Sequence, residues 1–523
     1  MKIYYNKLKY LALTLGVCFI FVSGCSDDDT VVVPPTAPAN TGTANFTMYV
    51  SIGNSLTAGF QSNALSQRDQ VWSFPSQIAR QVANLSVAKN SANATFEQPL
   101  IKDPGIGGRL RLVNLAPTIV SDGQVDPTSP ASNLNIALTR PYNNLGIPGA
   151  ILFDMADVED FATKSNSRQN PFFALVLRDQ QLGNSVIKQA RNLQATFMTA
   201  WIGNNDVLGY ATSGGTSGTN VGLADPPKTT PTETAVFSSL YKAMLDSLQV
   251  ETRGLIVGNI PDVSSIPFFT TVGPLLALKT PWGAIAAGQQ GSGLPSSGII
   301  FDSKTGFQFS PFLPNNKIRI ADSAACKDLT TLFTLAGQTY AGLIGQPTGK
   351  FYRDNGFSTL PTGIDTTKPF GVHPQNPFPD VYVLDPAEIT ISKDAVTAFN
   401  GIIATEAGSR NISVIDFNTF LKNLLVSPIV YPGIGVFTSS FITGGTFSYD
   451  GVHPSTRGYG IIANEWIKAI NTKFNANIPL VDLNSLPGIP IGKVPAKDIT
   501  YAPNVFNSMI RMMTGNKNWP VRY

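Results

Sequence analysis

Short apolar runs alternate along this chain with stretches in which apolar residues recur every three or four positions. Phe46 to Ile52 (FTMYVSI) is rich in β-formers and ends at Gly53, as suits a strand buried on both faces. Phe197 to Ile202, Leu255 to Val257 with its flanks, Val381 to Leu384 and Ile412 to Ile415 read the same way. Helical spacing lies between them. Val236, Phe237, Leu240, Tyr241, Met244 and Leu248 line one face. Asp385-Pro386-Ala387-Glu388 carries a helix start, with Asp as N-cap, Pro first and Glu three residues on. Ile389, Val396, Phe399, Ile402 and Ile403 continue it, and Gly408 stops it. A last helix carries Tyr459, Ile462, Ala463, Trp466 and Ile470. This order predicts an α/β fold with a parallel sheet covered on both faces. In such sheets the chemistry gathers beyond the carboxyl ends of the strands. Long insertions are expected at about 61–140, 210–231 and 268–379.

The amino-terminus reads as a processing signal rather than as part of the fold. Lysines occupy the first ten residues, and Leu11 to Val22 is mostly apolar but short of the roughly 20 residues a spanning helix needs. It ends in Val22-Ser23-Gly24-Cys25, which resembles the lipobox of bacterial lipoproteins. That resemblance implies a signal peptide over 1–24 and acyl chains on Cys25, hence an outer-membrane lipoprotein of the cell envelope. The acidic run Ser26-Asp27-Asp28-Asp29 is similar to a surface-export signal and equally fits a charged linker. Residues 25–45 are expected as a solvated tether, 46–475 as the main domain and 476–523 as an extension without an assignable role.

Composition narrows the picture further. Across 523 residues, 43% are hydrophobic and 14% charged, the mark of a chain that buries a large core. Removing Lys2, Lys7 and Lys9 with the signal leaves 34 basic against 34 acidic side chains, so no basic footprint points to nucleic acid. Of the three cysteines, Cys18 leaves with the signal and Cys25 is lipidated, which leaves Cys326 and no intramolecular disulfide.

Two histidines limit the candidate chemistry. His453 sits in Tyr449-Asp450-Gly451-Val452-His453-Pro454, where a carboxylate three residues upstream can turn back onto the ring. His373 shares the Gly-Val-His-Pro tetrapeptide but has Phe370 in the acid's place, which favours a structural role. No Gly-x-Ser-x-Gly elbow occurs. Ser55 follows the first strand in Gly53-Asn54-Ser55-Leu56, placed either as a nucleophile with an outward N–H or as a simple N-cap. Gly203-Asn204-Asn205-Asp206 closes another strand, as plain loop chemistry or as a carboxamide aimed at developing negative charge. Asn144-Leu145-Gly146-Ile147-Pro148-Gly149 reads as a glycine-bearing turn with exposed amides. Two histidines, one of them beside an acid, make a poor metal-ligand set, and no cofactor is expected.

Taken together, these four segments resemble the blocks of the SGNH/GDSL hydrolases, in that family's order. The resemblance implies a flavodoxin-like three-layer α/β/α sandwich and a serine carboxylic-ester hydrolase, esterase or lipase-like. It assigns Ser55, His453 and Asp450 to a triad. Ser55 and Gly149 become backbone donors to an oxyanion and Asn205 a side-chain donor. Asn54 departs from the family's Asp, keeping its shape and losing its charge. The expected partner is an ester, either a lipid or an acylated carbohydrate. Ile266-Pro267-Phe268-Phe269 with Leu275, Leu276, Leu278 and Trp282 reads as a lid or acyl pocket, or as a satellite core. A polysaccharide O-acetyl esterase and a nonenzymatic surface-binding module are the alternatives.

Overall fold

Four of the apolar runs, with the short segment Asn144–Gly146, assemble into one parallel sheet. The computed structural model describes residues 38–85, 96–113, 118–218, 230–249, 254–304, 306–307, 317–488 and 500–520. The strands are β1 (Tyr49–Gly53), β2 (Asn144–Gly146), β3 (Phe197–Trp201), β4 (Gly254–Gly258) and β5 (Ser413–Ile415), lying in the order β5-β4-β3-β1-β2. β1 pairs with β3 from Tyr49 opposite Phe197 to Gly53 opposite Trp201, and with β2 from Ser51 opposite Asn144 to Gly53 opposite Gly146. A separate antiparallel hairpin, β6 (Ile429–Tyr431) and β7 (Gly435–Phe437), follows the sheet. The signal peptide, Cys25 and most of the tether lie outside the described residues.

The helices that position the site are α1 (Ser55–Ala58), α2 (Phe74–Ala83), α3 (Val186–Asn192), α4 (Asn205–Thr212), α5 (Thr234–Gln249), α6 (Pro386–Gly408), α7 (Phe417–Val426), α8 (Thr456–Phe474) and α9 (Asn507–Thr514). Strand alternation divides the core between the two faces of the sheet. Val50, Ile52, Met198, Ala200, Leu255 and Val257 pack with residues of α3, α5 and α6. Tyr49, Phe197, Trp201 and Ile256 point the other way, into residues of α2, α7 and α8. The sheet is therefore flanked by helices on both faces. Among the described residues, every buried member of either core cluster lies at Ala44 or later.

Two expectations need correcting. Val381 to Leu384 is not a strand of the parallel sheet. Asp380–Tyr382 is a 3-10 turn, and Val383–Leu384 pairs antiparallel with Leu332–Phe333 outside the sheet. Its apolar run is buried without needing sheet neighbours, which periodicity does not distinguish. Asn144 to Gly146 is not merely a turn but the edge strand of the sheet, too short to show a pattern. The extension, to which the sequence assigns no role, reaches the site: its described residues 500–520 pack onto the loops there, as set out below.

Candidate active site

β1 delivers Ser55 to the carboxyl edge of the sheet. Gly53 is required there, since a Cβ would lie 2.3 Å from the Trp201 carbonyl oxygen and from Thr57 Oγ1. The chain turns at once into α1, with Asn54 as N-cap accepting from the Leu56 N–H at 3.0 Å. Asn54 Nδ2 also donates to Asn204 Oδ1 at 3.2 Å, a bond that an Asp at this position has no hydrogen to make. The loss of charge at residue 54 is thus accompanied by a cross-link between the β1 and β3 ends.

The loop before α8 brings up the other two groups. His453 Nε2 lies 2.9 Å from Ser55 Oγ, and His453 Nδ1 lies 3.0 Å from Asp450 Oδ2. Asp450 Oδ1 accepts from the N–H groups of Val452 (2.9 Å) and His453 (2.8 Å) and from Ser448 Oγ (3.1 Å). Its Oδ2 also accepts from the Asn63 N–H at 2.7 Å. Burial pushes the Asp450 carboxyl up, but the charge and hydrogen bonds of His453 and the Asn63 N–H outweigh it, and the group ends below the usual carboxylate range. The aromatic ring of Phe60 lies 4.7 Å from that of His453. Ser55, His453 and Asp450 are all buried, with Ser55 at 5% exposure, so bulk water has little access.

Asn63 and Ser448 were not singled out by the sequence. Ser62 and Asn63 both take positive φ, 52° and 62°, at the start of the first insertion. Asn63 is pinned by donating to Gly107, Gly108 and Val505 carbonyls. The insertion therefore helps hold the acid. The one legible signal is Ser-Asn itself, a pair tolerant of such turns.

Three donors gather at the ends of adjacent strands. Among the described residues the Ser55 and Gly149 N–H groups have no hydrogen-bond acceptor. Gly149 has φ +77°, and a Cβ there would lie 2.9 Å from both Asn170 Nδ2 and Met512 Cγ, so glycine alone fits. Asn205 Nδ2 donates one hydrogen to the Ala150 carbonyl at 2.9 Å, which leaves its second available. His373 is elsewhere: its Nδ1 accepts from the Gln375 N–H at 3.2 Å. Burial and Lys368 lower its pKa against the opposing pull of Asp365.

Asp206 ties this corner together. Its carboxylate accepts from the Leu152 N–H (2.9 Å) and Thr232 Oγ1 (2.8 Å), linking α4 to the chain just after Gly149. Burial raises its pKa to about 7, and the nearby Asp154 charge adds to the rise. The folded state thus holds a proton that the unfolded chain has released between about pH 4 and 7, and stability from this group falls as pH rises through that window. Asp206→Asn removes this dependence. We expect its melting temperature to gain on wild type progressively from pH 4 to 7 in thermal scans. A constant difference across the window counts against the assignment.

Two distant segments also reach the site. The apolar stretch at 266–269 is core: Ile266, Phe268 and Phe269 are buried, and the Phe268 N–H donates to the Gly451 carbonyl at 2.9 Å. Leu278 further along is 72% exposed. The carboxyl-terminal residues Tyr501 to Met513 pack from the other side. Tyr501 Oη donates to the Tyr449 carbonyl at 2.6 Å, Phe506 meets Phe268 edge-on, and Met512 of α9 covers the Gly149 turn. No protein-family model matches the chain, and comparisons with curated proteins and with solved structures likewise return no match.

Proposed function

We propose that this chain is a serine carboxylic-ester hydrolase of the SGNH/GDSL type. The observation that carries this reading is the line from Ser55 Oγ through the two His453 nitrogens to Asp450, in steps of 2.9 and 3.0 Å. The sheet adds support: numbered along the chain, its strands lie in the order 2-1-3-4-5, that of a flavodoxin-like three-layer sandwich. Ser55, the Gly149 turn and Asn205 stand just past the carboxyl ends of three neighbouring strands, where ligands bind in such sheets.

In this mechanism Ser55 Oγ attacks the ester carbonyl carbon while His453 Nε2 takes its proton. The carbonyl oxygen becomes an oxyanion, held by the Ser55 and Gly149 N–H groups and the second hydrogen of Asn205 Nδ2. The carbon–oxygen bond to the alcohol breaks, and His453 returns the proton to the departing alkoxide. Water then gives a proton to His453 and attacks the acyl carbon; the bond to Ser55 Oγ breaks, His453 returns the proton to that oxygen, and the acid leaves. Asp450, ionised and held by five donors, orients the ring and stabilises the imidazolium. Acyl chains on Cys25, which lies outside the described residues, would hold the enzyme at the outer membrane.

A fluorophosphonate probe tests this, since it bonds covalently only to an activated serine. We expect labelling of the wild-type protein and none of Ser55→Ala; a folded wild type that resists the probe overturns the reading. Asn205→Ala removes one oxyanion donor and leaves the triad intact. We expect kcat on a soluble aryl ester to fall about 10²–10³-fold with labelling slowed but present. An unchanged kcat would remove Asn205 from the mechanism.

A further inference from the structure

Outward-facing valines on the β6–β7 hairpin break the alternation that a half-buried sheet keeps. Ile429 lies opposite Phe437, and this pair faces the core, with Phe437 fully buried. One position along, Val430 lies opposite Val436 and both point outward, 73% and 42% exposed. Positions of this kind are polar on a hairpin that faces water. At the end of α7, Leu425 and Val426 are 41% and 82% exposed. From Asn423 to Tyr449 the chain carries no charged side chain, although 14% of the whole sequence is charged. Scattered exposed apolar residues are ordinary, but here four fall within residues 425–436, and two of them are paired across strands.

The hairpin tip is fastened to the segment beside which the amino-terminal end enters the fold. Tyr431 Oη donates to Asp482 at 3.1 Å, and Asn484 Nδ2 donates to the Pro432 carbonyl at 3.2 Å. Five residues before Asp482, Asn477 exchanges backbone hydrogen bonds with Asn40, at 3.0 and 3.3 Å. Five residues span at most about 18 Å. Leu480, between the two fastenings, is 47% exposed. The entry of the chain and the apolar patch therefore lie close together. From Cys25 to Asn40 the chain can extend no further than about 54 Å, so acyl chains on Cys25 would keep this part of the molecule within reach of the bilayer. No helix among the described residues is long and apolar enough to cross a membrane.

We infer that the patch formed by Leu425, Val426, Val430, Val436 and Leu480 rests on the phospholipid bilayer that carries the anchor, its side chains entering the boundary between headgroups and acyl chains. This rests on the lipidation of Cys25 for its orientation, and not on the hydrolase chemistry.

The test uses the chain from Ser26 onward, which has no acyl group and keeps every buried core residue among the described ones. It should co-sediment with phosphatidylcholine vesicles. Val426→Ser/Val430→Ser/Val436→Ser should lower binding by about tenfold or more at fixed lipid. Val426→Ser alone, at a site too exposed to affect folding, should lower it about threefold. Leu278→Ser, at an exposed leucine elsewhere, should leave it unchanged. Fluorophosphonate labelling should be equal in all, so that a failure of this inference is distinct from a failure of the enzyme reading. Absence of vesicle binding by wild type overturns the inference, as does binding that survives in both serine variants. A concentration-dependent dimer abolished by the triple variant, without vesicle binding, would assign the patch instead to a second copy of the chain.

Discussion

Ser55→Ala is expected to lower kcat on a soluble aryl ester by about 10⁶-fold while leaving the protein folded. The size follows from how the three groups depend on one another. His453 Nε2 has Ser55 Oγ, at 2.9 Å, as its reacting partner, and without that oxygen neither the base nor its orienting acid has a proton to move. Any residual turnover would come from water in place of the hydroxyl, polarised by the same oxyanion donors. The fold should tolerate the change. Alanine is a good helix former, Ser55 is the first residue of α1, and the N-cap bond from Leu56 goes to Asn54 and is untouched. Melting temperature should therefore stay within a few degrees of wild type. A variant that melts normally and turns over within tenfold of wild type would end the nucleophile assignment and favour a nonenzymatic surface role.

How much of this was legible in the sequence depends on what kind of interaction does the work. Ser55 and His453 were marked by local features: an apolar run, a glycine and a polar residue at a strand end, and an acid three residues before one of two histidines. Those signals are short-range and survive in linear sequence. The partners of Asp450 are different. Asn63 donates through its backbone, which every residue but proline has, so its side-chain identity says nothing of that role. Val381 to Leu384 has the composition of a strand but gains its burial from neighbours that periodicity does not encode. Met512 reaches Gly149 from more than 360 residues away, and nothing in its helix indicates where it docks. The β-hairpin valines lie in a charge-free stretch, and only their cross-strand pairing and exposure show that they point outward.

Asp450→Asn should be almost as damaging as loss of the nucleophile, lowering kcat by about 10⁴-fold with little change in KM. An amide presents one oxygen and one NH₂, and the site accepts neither orientation. With the oxygen at the Oδ1 position, the bonds from Val452, His453 and Ser448 are kept. The NH₂ then faces the Asn63 N–H and the His453 Nδ1. It forces Nδ1 to accept, which places the ring proton on Nε2, directed at Ser55, where it cannot take the serine proton. With the amide flipped, the NH₂ meets two backbone donors from its own loop, and the turn that carries His453 loses its ties. Each buried donor left without an acceptor costs about 1–3 kcal/mol. The variant should therefore melt lower than wild type yet still bind an ester, and its fluorophosphonate labelling should slow in proportion to kcat. Retention of activity within tenfold would show that the carboxylate charge beside His453 is not what sets the proton's direction.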